Sequence, residues 1–453
     1  MTSQQAAIRG TKLLLMALVL WLGLLGPGQA MAGGLIAYEV GTADVGLASA
    51  GYNARAQDAS TVFTNPAGMT RLQGNQLLAA GQLDYGWTKF SIGSGTSPAL
   101  GSDDGGNAFG SDGWFLGGGG FFSYSVSPKL KLGLAMTGNF GAPLQYDDNW
   151  AGRYYVQEAT MLGLSFVPSI AYKVTDKLSL GGGVTAMYGI YKNQVAVNIP
   201  DALRPGSFVP IRRADTDAQL NMDDKTWGWG VNLGLLYEFN PGTRLGLTWN
   251  SQINLDFSGP AEFSNLGQLA TVLQSRGLLN ANIDVGIKVP QQLMASIFHQ
   301  VNDRWAVLGS VGWQQWSKFG QVELGINDTA NPTSLTTKLD FKDTWHFAAG
   351  AQYKISDPWL LNFGVAYDSG IQGTSNVSPL LPVGSAWRFG VGAQNQVSKT
   401  FFWGVAAEYM YCGKLDTNLQ STRPVELGGR GNLVGSYDNI GTLFLAAYLN
   451  WTF

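Results

Sequence analysis

The chain carries few residues able to do covalent chemistry. Its only histidines are His299 and His346, and its only cysteine is Cys412. A hydrolytic nucleophile needs a base held against it and a third group orienting that base. His299 shares its alternation with the apolar Leu293, Ala295 and Ile297 beside a tight turn, so it reads as a membrane-interface residue. His346 alternates with Trp345 and Phe347 and faces an interior, but no serine motif accompanies it. A single cysteine forms no intrachain disulfide and builds no cysteine-ligated metal site. No nucleotide motif is apparent, and a formal net charge of -3 gives no footprint for nucleic acid. The chain is therefore expected to be no enzyme and to use no cofactor.

The residues that do stand out are structural devices. Asn65-Pro66-Ala67 combines a side chain that bonds back to nearby backbone with a ring that fixes φ, which makes a rigid turn. It lies in a segment, residues 33–72, too irregular and too rich in small residues to be a strand. That segment follows a secretory leader, residues 1–32. Arg9 and Lys12 form the positive flank of the leader, Leu13–Leu25 its apolar core and Ala30-Met31-Ala32 its cleavage site.

From residue 73 to 453 the elements are strands. Charged residues make up 13% of the chain, aromatics 12%, and glycine numbers 61. Mean hydropathy is only +0.01. This balance is too uncharged for an ordinary soluble surface and too polar for a helical membrane protein, and it fits strands with lipid on one face and water on the other. Period-two alternation recurs along the chain. In Arg244–Phe257 it places Leu245, Leu247, Trp249, Ile253, Leu255 and Phe257 on one face of what reads as a single strand. Tight turns at Ser127-Pro128, Thr175-Asp176, Asn240-Pro241-Gly242, Asn302-Asp303, Ser356-Asp357-Pro358 and Ser398-Lys399 alternate with long Gly- and Asp-rich connections. Short turns at one end and long loops at the other predict an all-β, transmembrane, antiparallel β-barrel of about 14 strands. Residues 33–72 are then expected inside the lumen as a hatch.

Two further features bear on function. Glycine and proline within a strand mark bulges and kinks. Gly138, Asn139, Gly141 and Pro143 interrupt the third strand-like run and form the candidate lateral gate, with Gly117–Gly120 as the rival. In an outer loop, Leu266, Leu269 and Leu273 fall on one face of a short helix. Such a helix has no evident core of its own and suggests a binding groove.

The sequence resembles the FadL-type outer-membrane transporters of long-chain fatty acids and hydrocarbons. The resemblance rests on Gly46–Arg55 with Asp58 and Asn65-Pro66-Ala67, on Tyr146–Tyr154, on Trp227–Gly234, and on Phe341–Trp345, in that order and at that spacing. It implies a barrel closed by a hatch, capture of apolar ligands at outer loops, an internal pocket near the mature N-terminus, and passive lateral release into the bilayer. It assigns Lys342 to the neighbourhood of a ligand carboxylate, and strand parity points His346 the same way. Where fatty-acid members carry a pocket arginine this chain has Ile190, which leaves a neutral ligand open. The partners implied are a hydrophobic small molecule and the lipid and lipopolysaccharide of the outer membrane of a Gram-negative bacterium, with the protein a monomer. The competing expectation is a general or selective porin for small polar solutes.

Overall fold

In a computed structural model of the chain, the described residues are 35–453 apart from 111–112, 205–210, 280, 320, 328–332, 339–340 and 376. The leader lies outside them. The chain runs through β1 (Gln76–Ile92), β2 (Trp114–Ser125), β3 (Leu130–Gln145), β4 (Glu158–Lys173), β5 (Leu178–Val197), β6 (Ala218–Asn240) and β7 (Thr243–Asn250). It continues through β8 (Ile253–Pro260), β9 (Glu262–Ser264), β10 (Asn282–Val289), β11 (Gln292–Gln300), β12 (Trp305–Gln314), β13 (Gln321–Asn327) and β14 (Thr333–Lys338). It ends with β15 (Thr344–Lys354), β16 (Trp359–Asp368), β17 (Ala386–Ser398), β18 (Phe401–Leu419) and β19 (Leu433–Thr452). Fourteen of these close a ring of antiparallel neighbours: β1 to β7, then β11, β12 and β15 to β19, with β19 paired back to β1. Closure leaves no free sheet edge around the ring as a whole, which a lipid solvent requires. All six tight turns fall at one end, where Asn75 and Phe453 exchange two backbone hydrogen bonds and join the first strand to the last residue.

Alternation sets which face meets lipid. On β17, Trp387, Phe389 and Val391 are exposed outward while Arg388 is buried inward. On β15, Trp345 and Phe347 point out and His346 points in.

The run Arg244–Phe257 is not one strand. β7 pairs with β6 only as far as Asn250 opposite Asn232. There Ser251 takes both backbone groups of Val231, its N–H donating to the Val231 carbonyl at 2.9 Å and its Oγ accepting from the Val231 N–H. The chain then turns into β8, which joins β10, β13 and β14 in a separate four-stranded sheet. The sequence parity persists but the backbone does not. Leu245 and Leu247 remain on the lipid face, while Ile253, Leu255 and Phe257 are buried in the interior. Leu255 reaches the inner surface of β5 because Gly189 there has no side chain; a Cβ would sit 3.1 Å from both of its methyl groups.

Residues 35–72 lie against the inner faces of the strands. Asn53 Nδ2 donates to the Met294 carbonyl (2.7 Å) and to Thr248 Oγ1 (3.0 Å), the Gly51 N–H to Ser310 Oγ (2.9 Å) and the Gly41 N–H to Gln82 Oε1 (2.8 Å). These partners stand on β11, β7, β12 and β1, so one short segment is pinned to strands around the ring. Gly46 abuts Gly392 of β17 so closely that a Cβ would stand 3.0 Å from the Gly392 backbone.

Candidate functional site

The Asn65-Pro66-Ala67 turn is placed by its own hydrogen bonds. Asn65 Oδ1 accepts from the Ala67 N–H (3.1 Å), and Asn65 Nδ2 donates to the carbonyls of Asn53 (2.7 Å) and Leu235 (3.0 Å). Pro66 then opens the 3₁₀ helix Pro66–Arg71. The turn touches the barrel wall where β5 and β6 present Gly181 and Gly234. A Cβ at Gly181 would stand 2.4 Å from the Ala67 nitrogen, and one at Gly234 would stand 2.2 Å from Asn65 Oδ1.

Just upstream, Arg55 Nη1 donates to Asp58 Oδ2 at 2.6 Å and Arg55 Nε to Asp44 Oδ1 at 3.3 Å, all three groups being buried. Burial raises both carboxyls. For Asp58 the Arg55 charge and the Ser60 hydrogen bonds outweigh burial, and its carboxyl is held below the usual value. For Asp44 burial wins and its carboxyl is raised. Arg244 of β7 closes the same region by donating to the carbonyls of Ala54 and Arg55 while its guanidinium lies 3.7 Å over the Phe298 ring.

The wall parts between β2 and β3. Their ladder ends at Gly119 opposite Thr137, although β2 stays paired with β1 to Trp114 and β3 stays paired with β4 to Gln145. Asn139 is an extra residue in β3, since Gly138 faces Leu164 and Phe140 faces the next residue, Gly163. Such a bulge reverses the parity beyond it. Phe140, Ala142 and Leu144 therefore turn inward and are buried. The freed edge of β3 is taken by the N-terminal segment: Ala37 N–H donates to the Asn139 carbonyl (3.0 Å) and Gly141 N–H to the Leu35 carbonyl (2.8 Å). Farther along, the Gln145 N–H meets the Ala108 carbonyl (2.8 Å). Pro143 falls between Gly141 and Gln145 on that edge and has no N–H to leave unpaired. Gly141 adopts φ +119°, and a Cβ there would stand 1.7 Å from the Met161 carbonyl oxygen. The four candidate gate residues thus lie on one bank of this gap, and Gly117 and Gly118 of the rival run lie on the other.

Beside the gap is an apolar cavity of about 100 Å³, lined among others by Leu35, Ala142, Met161, Tyr191, Ile287 and Phe341. Among the described residues, no charged side chain lines it. Lys342 is exposed, because β15 starts only at Thr344 and strand parity does not reach back to it; its neighbour Phe341 is the residue that lines the cavity. His346 is buried but elsewhere. Its Nδ1 is 2.7 Å from Asp368 Oδ1 and its ring centre 4.6 Å from that of Tyr38. Asp368 also accepts from Arg388, which meets Glu39 of the N-terminal segment (2.5 Å) and Glu408 (3.1 Å). Alternation points His346 inward, but nothing in the sequence pairs it with Asp368 or Glu39 with Arg388. Ile190 shares the outward parity of Leu180 and Val184, so Tyr191, not Ile190, is the β5 residue beside the cavity. In the outer loop, Leu266, Leu269 and Leu273 are together, but they pack on Ile199, Ala218, Leu203 and Phe263. The helix Leu269–Ser275 has a core after all, supplied by the tips of β5 and β6 and their connection.

A closed strand ring with a buried segment across its lumen, a parted wall and an apolar cavity beside the parting defines a class: an outer-membrane transport channel. Residues 23–453 match the family described as "Outer membrane protein transport protein (OMPP1/FadL/TodX)", and the chain belongs to that family. It is 28% identical over 372 residues to Outer membrane protein P1 of Haemophilus influenzae, covering 76% of this chain and 79% of that one. It is 24% identical over 433 residues to the Long-chain fatty acid transport protein of Escherichia coli K12, covering 91% and 95%. Among solved structures, a Pseudomonas aeruginosa FadL homologue superposes with a TM-score of 0.80 at 22% identity, covering 93% of this chain and all of that one. The P. putida toluene transporter TodX gives 0.66 at 14%, covering 93% and 98%.

Proposed function

We propose that this protein lets hydrophobic small molecules, of the fatty-acid and hydrocarbon kind its relatives carry, cross the outer membrane by passive diffusion. Residues 33–72, following a leader cleaved after Ala32, act as a hatch that denies the lumen to polar solutes. A ligand held in the cavity beside Leu35 leaves sideways between β2 and β3 when the Leu35–Ala37 segment releases Asn139 and Gly141. The observation that carries this reading is the coincidence of three things at one place. The ladder stops at Gly119 and Thr137, the freed edge beside the bulge is held by two backbone bonds to the Leu35–Ala37 segment, and the apolar cavity begins at Leu35 and Ala142. Lateral exit keeps an apolar solute out of water throughout, which is where the driving force lies. A general porin is disfavoured by the segment bonded across the lumen. Lipid and lipopolysaccharide surround the monomer as solvent in this reading.

The test is transport by intact cells of a radiolabelled long-chain fatty acid and a labelled aromatic hydrocarbon. A strand-straightened variant of 138–143 that still assembles as a heat-modifiable barrel should lose uptake of whichever ligand the wild type carries. Wild-type uptake in that variant would place the exit elsewhere.

A further inference from the structure

The wall parts a second time, between β6 and β8. Among the described residues, β6 has no rung on this side between Asn232, where β7 leaves it, and Asn221, where β9 joins it. Over that interval β8 runs beside β6 as a member of the other sheet and is tethered at both ends. At the lower end Ser251 takes both backbone groups of Val231. At the upper end the Ser258 N–H donates to Asp224 Oδ2 at 2.7 Å, in an exposed position. Between the tethers glycine meets β8: a Cβ at Gly228 would stand 2.5 Å from an Ile253 methyl and 2.8 Å from a Leu255 methyl. Such a contact can separate without breaking a ladder.

The seam lies outside the lipid band. Leu233, Trp249, Leu293, Trp313 and Trp345 are successive partners around the wall, and three tryptophans in one row mark the outer girdle. Val231 and Ser251 come two residues beyond that row, on the side away from the tight turns. Lipid would penalise an edge without rungs, but beyond the girdle water can satisfy it. Directly inside is a cavity of about 50 Å³. Gly230, Val231, Ser251 and Ile253 line it at the seam, and Ile36 and Asn139 line it towards the gate. Outside, Trp227 is exposed and Trp229 is 66% exposed.

We propose that the seam between β6 and β8 is a side entrance, through which apolar solutes reach the interior from the level of the lipopolysaccharide headgroups. The entrance rests on the transport reading above and adds where the solute comes in. β10, paired to the other edge of β8, contributes Ile287 to the larger cavity and Val289 to the smaller. These two strands therefore cover the interior, and the seam is the margin of that cover without a ladder. The exposed Trp227 and Trp229 rings give an apolar solute a landing surface, and Gly228 and Gly230 keep the passage free of β6 side chains. A solute that enters reaches the cavity and then the Leu35–Ala37 segment, whose release opens the β2–β3 exit.

A disulfide across the seam tests this. A Cβ at Gly259 would stand 3.7 Å from the Asp224 Cβ, close to the roughly 3.8 Å that a disulfide prefers. Intact cells carrying Asp224→Cys with Gly259→Cys are given radiolabelled oleate or toluene, oxidised and then reduced. Oxidation should slow uptake at least tenfold and reduction should restore it, with each single variant unaffected. Dibromobimane joins the same two thiols irreversibly and should give the same block should oxidation not close them. A control disulfide, Leu235→Cys with Leu247→Cys, joins facing residues where β6 and β7 are laddered and should leave uptake unchanged. Heat-modifiable migration checks that each variant is folded. Native uptake through a fully cross-linked seam overturns the entrance, and so does an equal block by the control. Uptake of neither probe by wild-type cells would overturn the transport reading itself, whereas wild-type uptake that the seam cross-link does not slow removes only the entrance.

Discussion

Thr137 Oγ1 donates a hydrogen bond to the Gly118 carbonyl at 2.9 Å, just past the final rung that joins β2 to β3. The bond lies where the two strands separate. On one side of it Gly118 takes φ +138°, a conformation few side-chain-bearing residues adopt, and on the other β3 runs into its bulge at Asn139. The glycine run 117–120 and the glycine–proline run 138–143, which compete as gate candidates on sequence grounds, are therefore two sides of one opening.

Gly141→Ala should damage that opening. The added Cβ collides with the Met161 carbonyl oxygen, and the backbone conformation disfavours any L side chain, a strain of about 1–3 kcal/mol. The expected outcome is a barrel that still migrates as a heat-modifiable species but shows ligand uptake at least tenfold lower. Native uptake in cells carrying the variant would show that the kink is dispensable.

Glu39→Gln should loosen the segment that holds the gate edge. The substitution removes one charge from a buried pair with Arg388 at 2.5 Å, and hydrogen bonds to charged groups contribute about 1.5–3 kcal/mol. Hydrogen–deuterium exchange is expected to speed up by roughly tenfold or more at the Ala37 and Gly141 amides, with the other barrel amides unaffected. Unchanged protection at those two amides would separate the anchor from the gate.

The carboxylates around Arg55 should respond to pH in opposite senses. The Asp58 carboxyl is raised by burial but lowered further by Arg55 and Ser60, so its folded value is depressed. Its stabilisation is complete above the ordinary value of 3.8 and is lost as pH falls through the lower folded value. Asp44 is raised by burial, so its contribution is present below 3.8 and lost as pH rises through the folded value. Asp58→Asn should therefore destabilise residues 35–72 at neutral pH by about 3–5 kcal/mol, the cost of breaking a buried pair, and the gap to wild type should close in strong acid. Asp44→Asn should cost less at neutral pH. Limited proteolysis of the N-terminal segment across an acid series reads both.

Lys342→Ala should leave ligand affinity within about twofold, because Lys342 is exposed and the cavity wall at that point is Phe341. A direct charged hydrogen bond to a carboxylate ligand would instead appear as a loss of about 1.5–3 kcal/mol in a titration with a fatty acid.

Much of this protein was legible in the residues themselves. Period-two alternation needs only local geometry, so the strands, their lipid-facing sides at Trp345 or Phe347, and the six tight turns could be read directly. The interruption of the third strand could be read too, because glycine and proline act on the backbone of their own strand. What required the tertiary structure was every relation between distant segments. The apolar alternation of Arg244–Phe257 is unbroken, yet Leu247 meets lipid and Leu255 the interior, because alternation records which side of a strand is apolar and not which way the strand is heading after Ser251. Parity does not extend to Lys342, since β15 begins only at Thr344. The helix Leu269–Ser275 found its core in Ile199 and Ala218, residues more than fifty positions away. Glu39 met Arg388 across the lumen, and Leu35–Ala37 met the freed edge of β3. These pairings are fixed by ring closure, which brings together backbone edges and buried charges that no local pattern connects.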